Sequence, residues 1–228
     1  MSPKLTHDEL VSSLTKRISI LSKNKAIFIV GITGIDASGK SKLSENISEK
    51  LINDGKNVLT VSGDSFQFPR EYKENFIEKT WAIQHVKRTI NFQSMTDKFL
   101  APISQKPESI ILDAINYDSG EKISKIVPLK YPLIVVVESI YLFQEPMLKY
   151  LDYKIFLEID QATALLRAKT RPRDLLLYGD EDGIEKKYTK KNFSGYLFFD
   201  KIVQPKQYAD VIINNNDWEN PEIVSGLI

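Results

Sequence analysis

The apolar positions change period several times along the chain, and each change marks an element. Leu10, Leu14, Ile18 and Leu21 recur at helical spacing, and Thr6 with Glu9 three residues later has the form of a capping box, so a helix opens the chain. AIFIVGI (26–32) is continuously apolar, as expected of a strand buried on both faces. In KSKLSENISEKLINDG (40–55) Leu43, Ile47 and Leu51 share a helical face, and Gly55 is a plausible stop. NVLTVSGD (57–64) predicts a second strand, which completes a βαβ unit. Further strands are predicted at SIILD (109–113), YPLIVVVES (131–139), YKIFLEID (153–160) and DVIINN (210–215). Residues 70–105 read as largely helical, and INYDSGEKISKIVPL (115–129) as a hairpin around Asp118-Ser119-Gly120. QATALLRAK (161–169) is a helix that Asp160 caps, LLLYGDEDGIEKKYTKK (175–191) a charged mobile loop, and SGYLFFDKIVQPKQYA (194–209) holds a last helix. The alternation predicts one α/β domain over 1–228, with a mostly parallel sheet, an N-terminal helix at 1–22 and a core from 23 onward.

The 228 residues, 42% of them hydrophobic, are enough for one such core. A net charge of +1 without a basic stripe gives no field for nucleic acid or a membrane surface. No cysteine is present, which excludes disulfides, zinc–thiolate sites and a cysteine nucleophile, and suits a cytoplasmic location. No apolar run is long enough to span a bilayer, and none at the start resembles a signal peptide.

The first strand runs into GITGIDASGKS (31–41). Gly34, Ile35, Asp36, Ala37, Ser38, Gly39, Lys40 and Ser41 fit the pattern G-x-x-x-x-G-K-[ST], placed between a strand and a helix. Its backbone N–H groups and the helix N-terminus favour a phosphate chain, Lys40 reaches the β- and γ-phosphates, and Ser41 is a ligand for Mg²⁺. Three apolar strands end in a carboxylate, at Asp64, Asp113 and Glu138, and parallel pairing brings such ends toward the loop. Phosphoryl transfer needs a held metal and a group that orients the attacking hydroxyl, and two carboxylates could divide those roles. Asp113 is the weakest of the three, because its strand fits a hairpin. Arg167, Lys169, Arg171 and Arg173 are candidate lid cations within a lid of about 167–192. His7 and His85 have no partner at ligand spacing and read as surface residues.

These landmarks, in the order GITGIDASGKS, VSGDSFQFPREY, VVVESIYLF, DYKIFLEID, RAKTRPRD and QYADVIINNND, resemble the uridine kinase/phosphoribulokinase group of P-loop kinases, and most of all its bacterial uridine kinase-like branch. Asp64-Ser65-Phe66, Pro69-Arg70, Tyr72 and Tyr208–Asn215 carry the resemblance, which covers nearly the whole chain after the first helix. It implies a three-layer α/β/α P-loop fold with a five-stranded parallel core, ATP as donor and Mg²⁺ as cofactor. It implies Asp64 as the base, Glu138 near the metal, lid cations among Lys169 and Arg173, and an acceptor pocket of Phe66, Arg70, Tyr72 and the excursion at Tyr117-Asp118. The expected activity is transfer of the γ-phosphoryl group to a small-molecule alcohol, most simply a nucleoside, by a chain that could form a homo-oligomer.

Departures concern the acceptor. NYDSGEKISK keeps Tyr117 and Asp118 but lacks the group's later His and Arg, NFQSM replaces Asn-Phe-Asp-His-Pro, and LLLYGDED replaces the lid's Arg-Gly-Arg. Ser139 stands where the group has glycine, which is expected to narrow the site beside Glu138. Pantothenate, a sugar phosphate or glycerate therefore stay open as acceptors. So do an ATP-binding module that transfers nothing and an NTPase whose acceptor is water.

Overall fold

The computed structural model describes residues 4–69, 72, 80–115 and 122–228. Its strands are Ile27–Gly34 (β1), Asn57–Ser62 (β2), Ser109–Ile115 (β3), Lys122–Pro128 (β4), Leu133–Glu138 (β5), Tyr153–Glu158 (β6), Val211–Asn214 (β7) and Glu222–Gly226 (β8). Six of them form one sheet in the order β2-β5-β1-β6-β7-β8. The first five are mutually parallel, and β8 adds antiparallel to β7. The sheet is thus one strand wider than the expected five. EIVSG is short, half-exposed and without alternation, so its apolar pattern carries little signal.

β1 and β5 are buried almost end to end because helices cover both faces. One face takes His7–Leu21 (α1) and Lys40–Asn53 (α2), whose Leu10, Leu14, Ile18, Leu43, Ile47 and Leu51 form a core with Phe28, Val30 and Ile155. The other face takes the continuous helical run 92–104, with Met95, Phe99 and Ile103 against Val135, Val137 and Phe143. The N-terminal helix therefore packs on the core. Its capping box is formed, Thr6 N–H donating to Glu9 Oε2 at 2.8 Å and Glu9 N–H to Thr6 Oγ1 at 3.3 Å. Gly55, at φ 76°, ends α2, and Lys56 N–H closes on Leu51 O at 3.0 Å.

β3 and β4 pair with each other as a separate antiparallel hairpin. Its connection, with Tyr117 and Asp118, lies outside the described residues, as does Arg70. The charged segment expected as a mobile loop is helical instead, as Pro172–Tyr178, Glu181–Lys187 and a π-helical run Tyr188–Phe193. Asp180 caps the second helix through Gly183 N–H at 2.8 Å, and Ile184, Tyr188 and Phe193 bury an apolar face beneath the charges. Among the described residues no helix is long and apolar enough to cross a membrane.

Candidate active site

Parallel pairing aligns the carboxyl ends of β1, β2 and β5, with Glu138 in register with Ile32 on one side and Ser62 on the other. A cleft of about 1610 Å³ opens there, lined by the loop after β1, the turn after β2, the Trp81–Arg88 helix and the helices of 161–193.

Backbone geometry shapes the loop. Gly39 caps α2 in the left-handed region at φ 96°, and a Cβ there would come within 2.9 Å of Asn215 and Trp218. A Cβ on Gly34 would meet the Leu157 carbonyl at 2.3 Å. Asp36, Ala37, Gly39, Lys40 and Ser41 face the cleft, whereas Gly34, Ile35 and Ser38 close the loop from behind. Lys40 is buried and donates to Ile35 O at 2.8 Å, and the Ser38 hydroxyl is buried without a partner. A buried ammonium at the cleft, in a loop whose two glycines leave no room for a Cβ, suits a phosphate group. Burial pulls the Lys40 ammonium below its ordinary value, and the charges of Asp36, Glu138 and Asp64 oppose that.

Glu138 is buried, and burial raises its carboxyl above the usual range. Lys40 works against the rise, as do hydroxyl donors from Ser62, at 2.5 Å, and Ser41. Ser41 and Glu138 thus meet as a hard-oxygen pair beside the loop, the donor type Mg²⁺ takes together with water and phosphate oxygens. Among the described residues no cluster of three or more His, Asp or Glu forms a self-sufficient metal cage.

Asp64 lies in the Gly63–Phe66 turn just beyond β2. Its Oδ2 accepts from Arg173 Nη1 at 3.1 Å and its Oδ1 from Gln67 Nε2 at 2.8 Å. Arg171, 3.4 Å from the buried Asp174, also lines the cleft.

Other expected residues have other roles. Phe66 is not a pocket residue. The turn points it into the core, 6.1 Å from Phe99, and Phe68 lines the cleft instead. Tyr72 is exposed, stacked on Phe68 at 4.7 Å with the Arg88 guanidinium 4.0 Å above its ring. Lys169 points away from the cleft and fastens two helices through Glu185 at 2.7 Å and Glu181 at 3.8 Å. Arg167 does face the cleft, and it donates to Asn215 O at 2.6 Å and Asn216 O at 3.1 Å. Asp113 accepts from Ser124 within the hairpin at 2.7 Å. Ser139 lines the cleft next to Glu138. Its hydroxyl donates to Ile140 O at 2.9 Å, and its side chain fills the space that Gly63 leaves, where a Cβ would lie 2.1 Å from Ser139 Oγ.

Neither histidine is a plain surface residue. His85 lines the cleft and shares a 2.8 Å hydrogen bond with the buried Tyr141 hydroxyl. His7 stacks on Trp218 at 4.1 Å and bonds Asn46 at 2.8 Å. Sequence spacing could not find either, since both partners are distant in the chain. The same holds for Asp36 and Asn192, whose Nδ2 donates to Asp36 Oδ2 at 3.0 Å.

No family model matches the chain. Among curated proteins it is 28% identical over 195 residues to uridine-cytidine kinase B of Dictyostelium discoideum, covering 84% of this chain and 76% of that one. It is 27% identical over 205 residues to the uridine kinase of Chlamydia pneumoniae, covering 85% and 84%. Among solved structures, one described as a possible uridine kinase from Bacillus stearothermophilus superposes with a TM-score of 0.66 at 16% identity, covering 87% of this chain and 98% of that one. The chain has the fold of the P-loop kinases and resembles uridine kinases in sequence over more than four fifths of its length.

Proposed function

We propose that this chain is an ATP-dependent, uridine kinase-like small-molecule kinase that phosphorylates a hydroxyl group, with a nucleoside as the simplest acceptor. The observation that carries the proposal is the different settings of two carboxylates whose charges both act on Lys40. Glu138 is buried and bound by the Ser41 and Ser62 hydroxyls, whereas Asp64 is half-buried and held by Gln67 and Arg173. One setting suits a metal-side ligand and the other a base in reach of a hydroxyl.

ATP would supply the phosphoryl group, and Mg²⁺, which Ser41 and Glu138 would hold, would supply divalent charge beside the phosphates. The chain's own residues do the rest. The loop amides and Lys40 fix the phosphates and neutralise charge that grows during transfer. Asp64 orients the acceptor hydroxyl and takes its proton, and Gln67 and Arg173 fix the carboxylate's direction. Arg171 and Arg173 bring positive charge from the segment 161–193, which acts as a lid and excludes water. Such chemistry needs a supply of ATP, which together with the lack of cysteine fits the cytoplasm.

The test is ADP release from ATP·Mg²⁺ with a panel of nucleosides, pantothenate, D-glycerate and sugars, with Lys40→Ala as control. Stimulation by one alcohol that the variant loses supports the proposal. ADP release that no alcohol stimulates contradicts it and favours water as acceptor.

A further inference from the structure

A carboxylate inside a phosphate-binding loop is out of place electrostatically, because it meets like charge on the incoming group. Asp36 is such a carboxylate. Among the described residues it has no ion-pair partner, and its side chain accepts one hydrogen bond, from the neutral amide of Asn192 at 3.0 Å. Asn192 comes from the π-helical run Tyr188–Phe193, is 7% exposed and lines the same cleft. The contact fixes the amide's orientation, since the reverse would set its oxygen against the Asp36 carboxylate. Asn192 Oδ1 is therefore a true acceptor, and it is buried without a partner. Natural structures leave few such atoms, and one on a residue that lines a cleft points to a donor supplied by a ligand.

The surroundings define that donor. Burial pushes up the phenols of Tyr141, Tyr178 and Tyr188, and the charge of Asp36 adds to the rise in each, so the carboxylate lies near an aromatic corner of the cleft that Tyr178 and Tyr188 line. A ligand anion would be repelled by Asp36, and a ligand cation would meet Lys40 and Arg171, which also line the cleft. A neutral hydroxyl group satisfies both acceptors, and aromatic walls suit the C–H faces of a sugar-like body. The charges of Asp36 and Asp64 both act on the Lys40 ammonium, and both residues line the cleft.

We infer that Asp36 and Asn192 form a second binding position for the phosphoryl acceptor, which holds it by hydroxyl groups other than the one phosphorylated. The inference rests on the kinase assignment above and narrows its substrate class to neutral polyhydroxy compounds. Monohydroxy alcohols are excluded. The same pair also ties the lid segment to the phosphate loop, so acceptor binding and lid position are read at one place.

The experiment compares kcat/KM for matched acceptors that keep the attacked hydroxyl and lose one other: uridine against its 2′- and 3′-deoxy forms, D-ribose against 2-deoxy-D-ribose, and glycerol against 1,3-propanediol. Wild type is set beside Asn192→Leu and Asp36→Ser, with melting temperatures as a check on folding and a non-hydrolysable ATP analogue to measure nucleotide affinity. The expected result is discrimination of at least about 100-fold by wild type, falling below about 10-fold in both variants, because a site built to bond a hydroxyl rejects the analogue lacking it. In Asn192→Leu the analogue's affinity should stay within about threefold. Unchanged discrimination in the variants overturns the inference. So does equal loss of acceptor and analogue binding, which would make the contact a lid latch only. Wild type stimulated only by monohydroxy alcohols overturns it and leaves a kinase, whereas no response to any alcohol removes the kinase assignment as well.

Discussion

Arg173 and Asp64, 109 positions apart in the chain, meet at 3.1 Å across the mouth of the cleft. The pair joins the helical segment 161–193 to the turn after β2, and the proposed function assigns Asp64 to the acceptor rather than to ATP. Asp64→Asn should lower kcat by about 10²–10⁴, the range of a lost general base, and keep affinity for a non-hydrolysable ATP analogue. Arg173→Ala should cost about 10²–10³. Loss of analogue binding in Asp64→Asn would place that carboxylate on the metal.

Gly63 and Ser139 occupy one space between them. Gly63→Ala drives a Cβ to within 2.1 Å of Ser139 Oγ and 2.4 Å of its Cβ, and should destabilise the fold by about 1–3 kcal/mol. A Ser139→Gly background removes the two nearest of these atoms and leaves the Glu138 carbonyl at 3.3 Å, so most of that cost should vanish. Urea unfolding of the two single variants and the double variant checks the coupling. Additive effects would mean that the two residues do not share the space.

The Glu138 carboxyl titrates above the usual range because burial disfavours its charge, and the Ser62 hydroxyl counteracts this by donating to the ionised form. If ionised Glu138 is needed for activity, the acid limb of kcat/KM falls as pH drops through this raised value. Ser62→Ala removes a donor, so the carboxyl keeps its proton to higher pH and the limb should move upward. A pH profile of both proteins reads this directly, and a limb that stays in place contradicts the assignment.

Tyr153 is pushed up to about 12 by burial, and its hydroxyl donates to Leu227 O at 2.9 Å. Between the ordinary phenol value near 10 and about 12 the unfolded chain loses this proton while the folded chain keeps it, so stability falls as pH rises through that window. Tyr153→Phe should be less stable at pH 7, having lost a hydrogen bond, yet show a shallower loss above pH 10. Denaturant midpoints from pH 8 to 11.5 test it, and parallel curves for the two proteins would contradict it.

The sequence made legible what depends on local pattern. The continuous apolar runs of β1 and β5, the capping box at Thr6, the stop at Gly55 and the loop from Gly34 to Ser41 all stand where their periodicity and spacing put them. Residues that depend on long-range packing did not show. Phe66 turns into the core because the Gly63–Phe66 turn redirects it, and Lys169 serves Glu185 because the segment read as loop is helical. Asp36 looked like one more loop residue, and only the fold brings Asn192, 156 positions away, against it. His85 met Tyr141 in the same way, across 56 positions.

The central claim is that phosphoryl groups leave ATP for an alcohol and not for water. ³¹P NMR of ATP·Mg²⁺ with the stimulating alcohol reads this in one tube. Wild type should give a new phosphomonoester resonance in equal amount to ADP, and Lys40→Ala should give neither at a matching rate. Inorganic phosphate as the sole product beside ADP, or unconsumed ATP with every alcohol, would contradict the account.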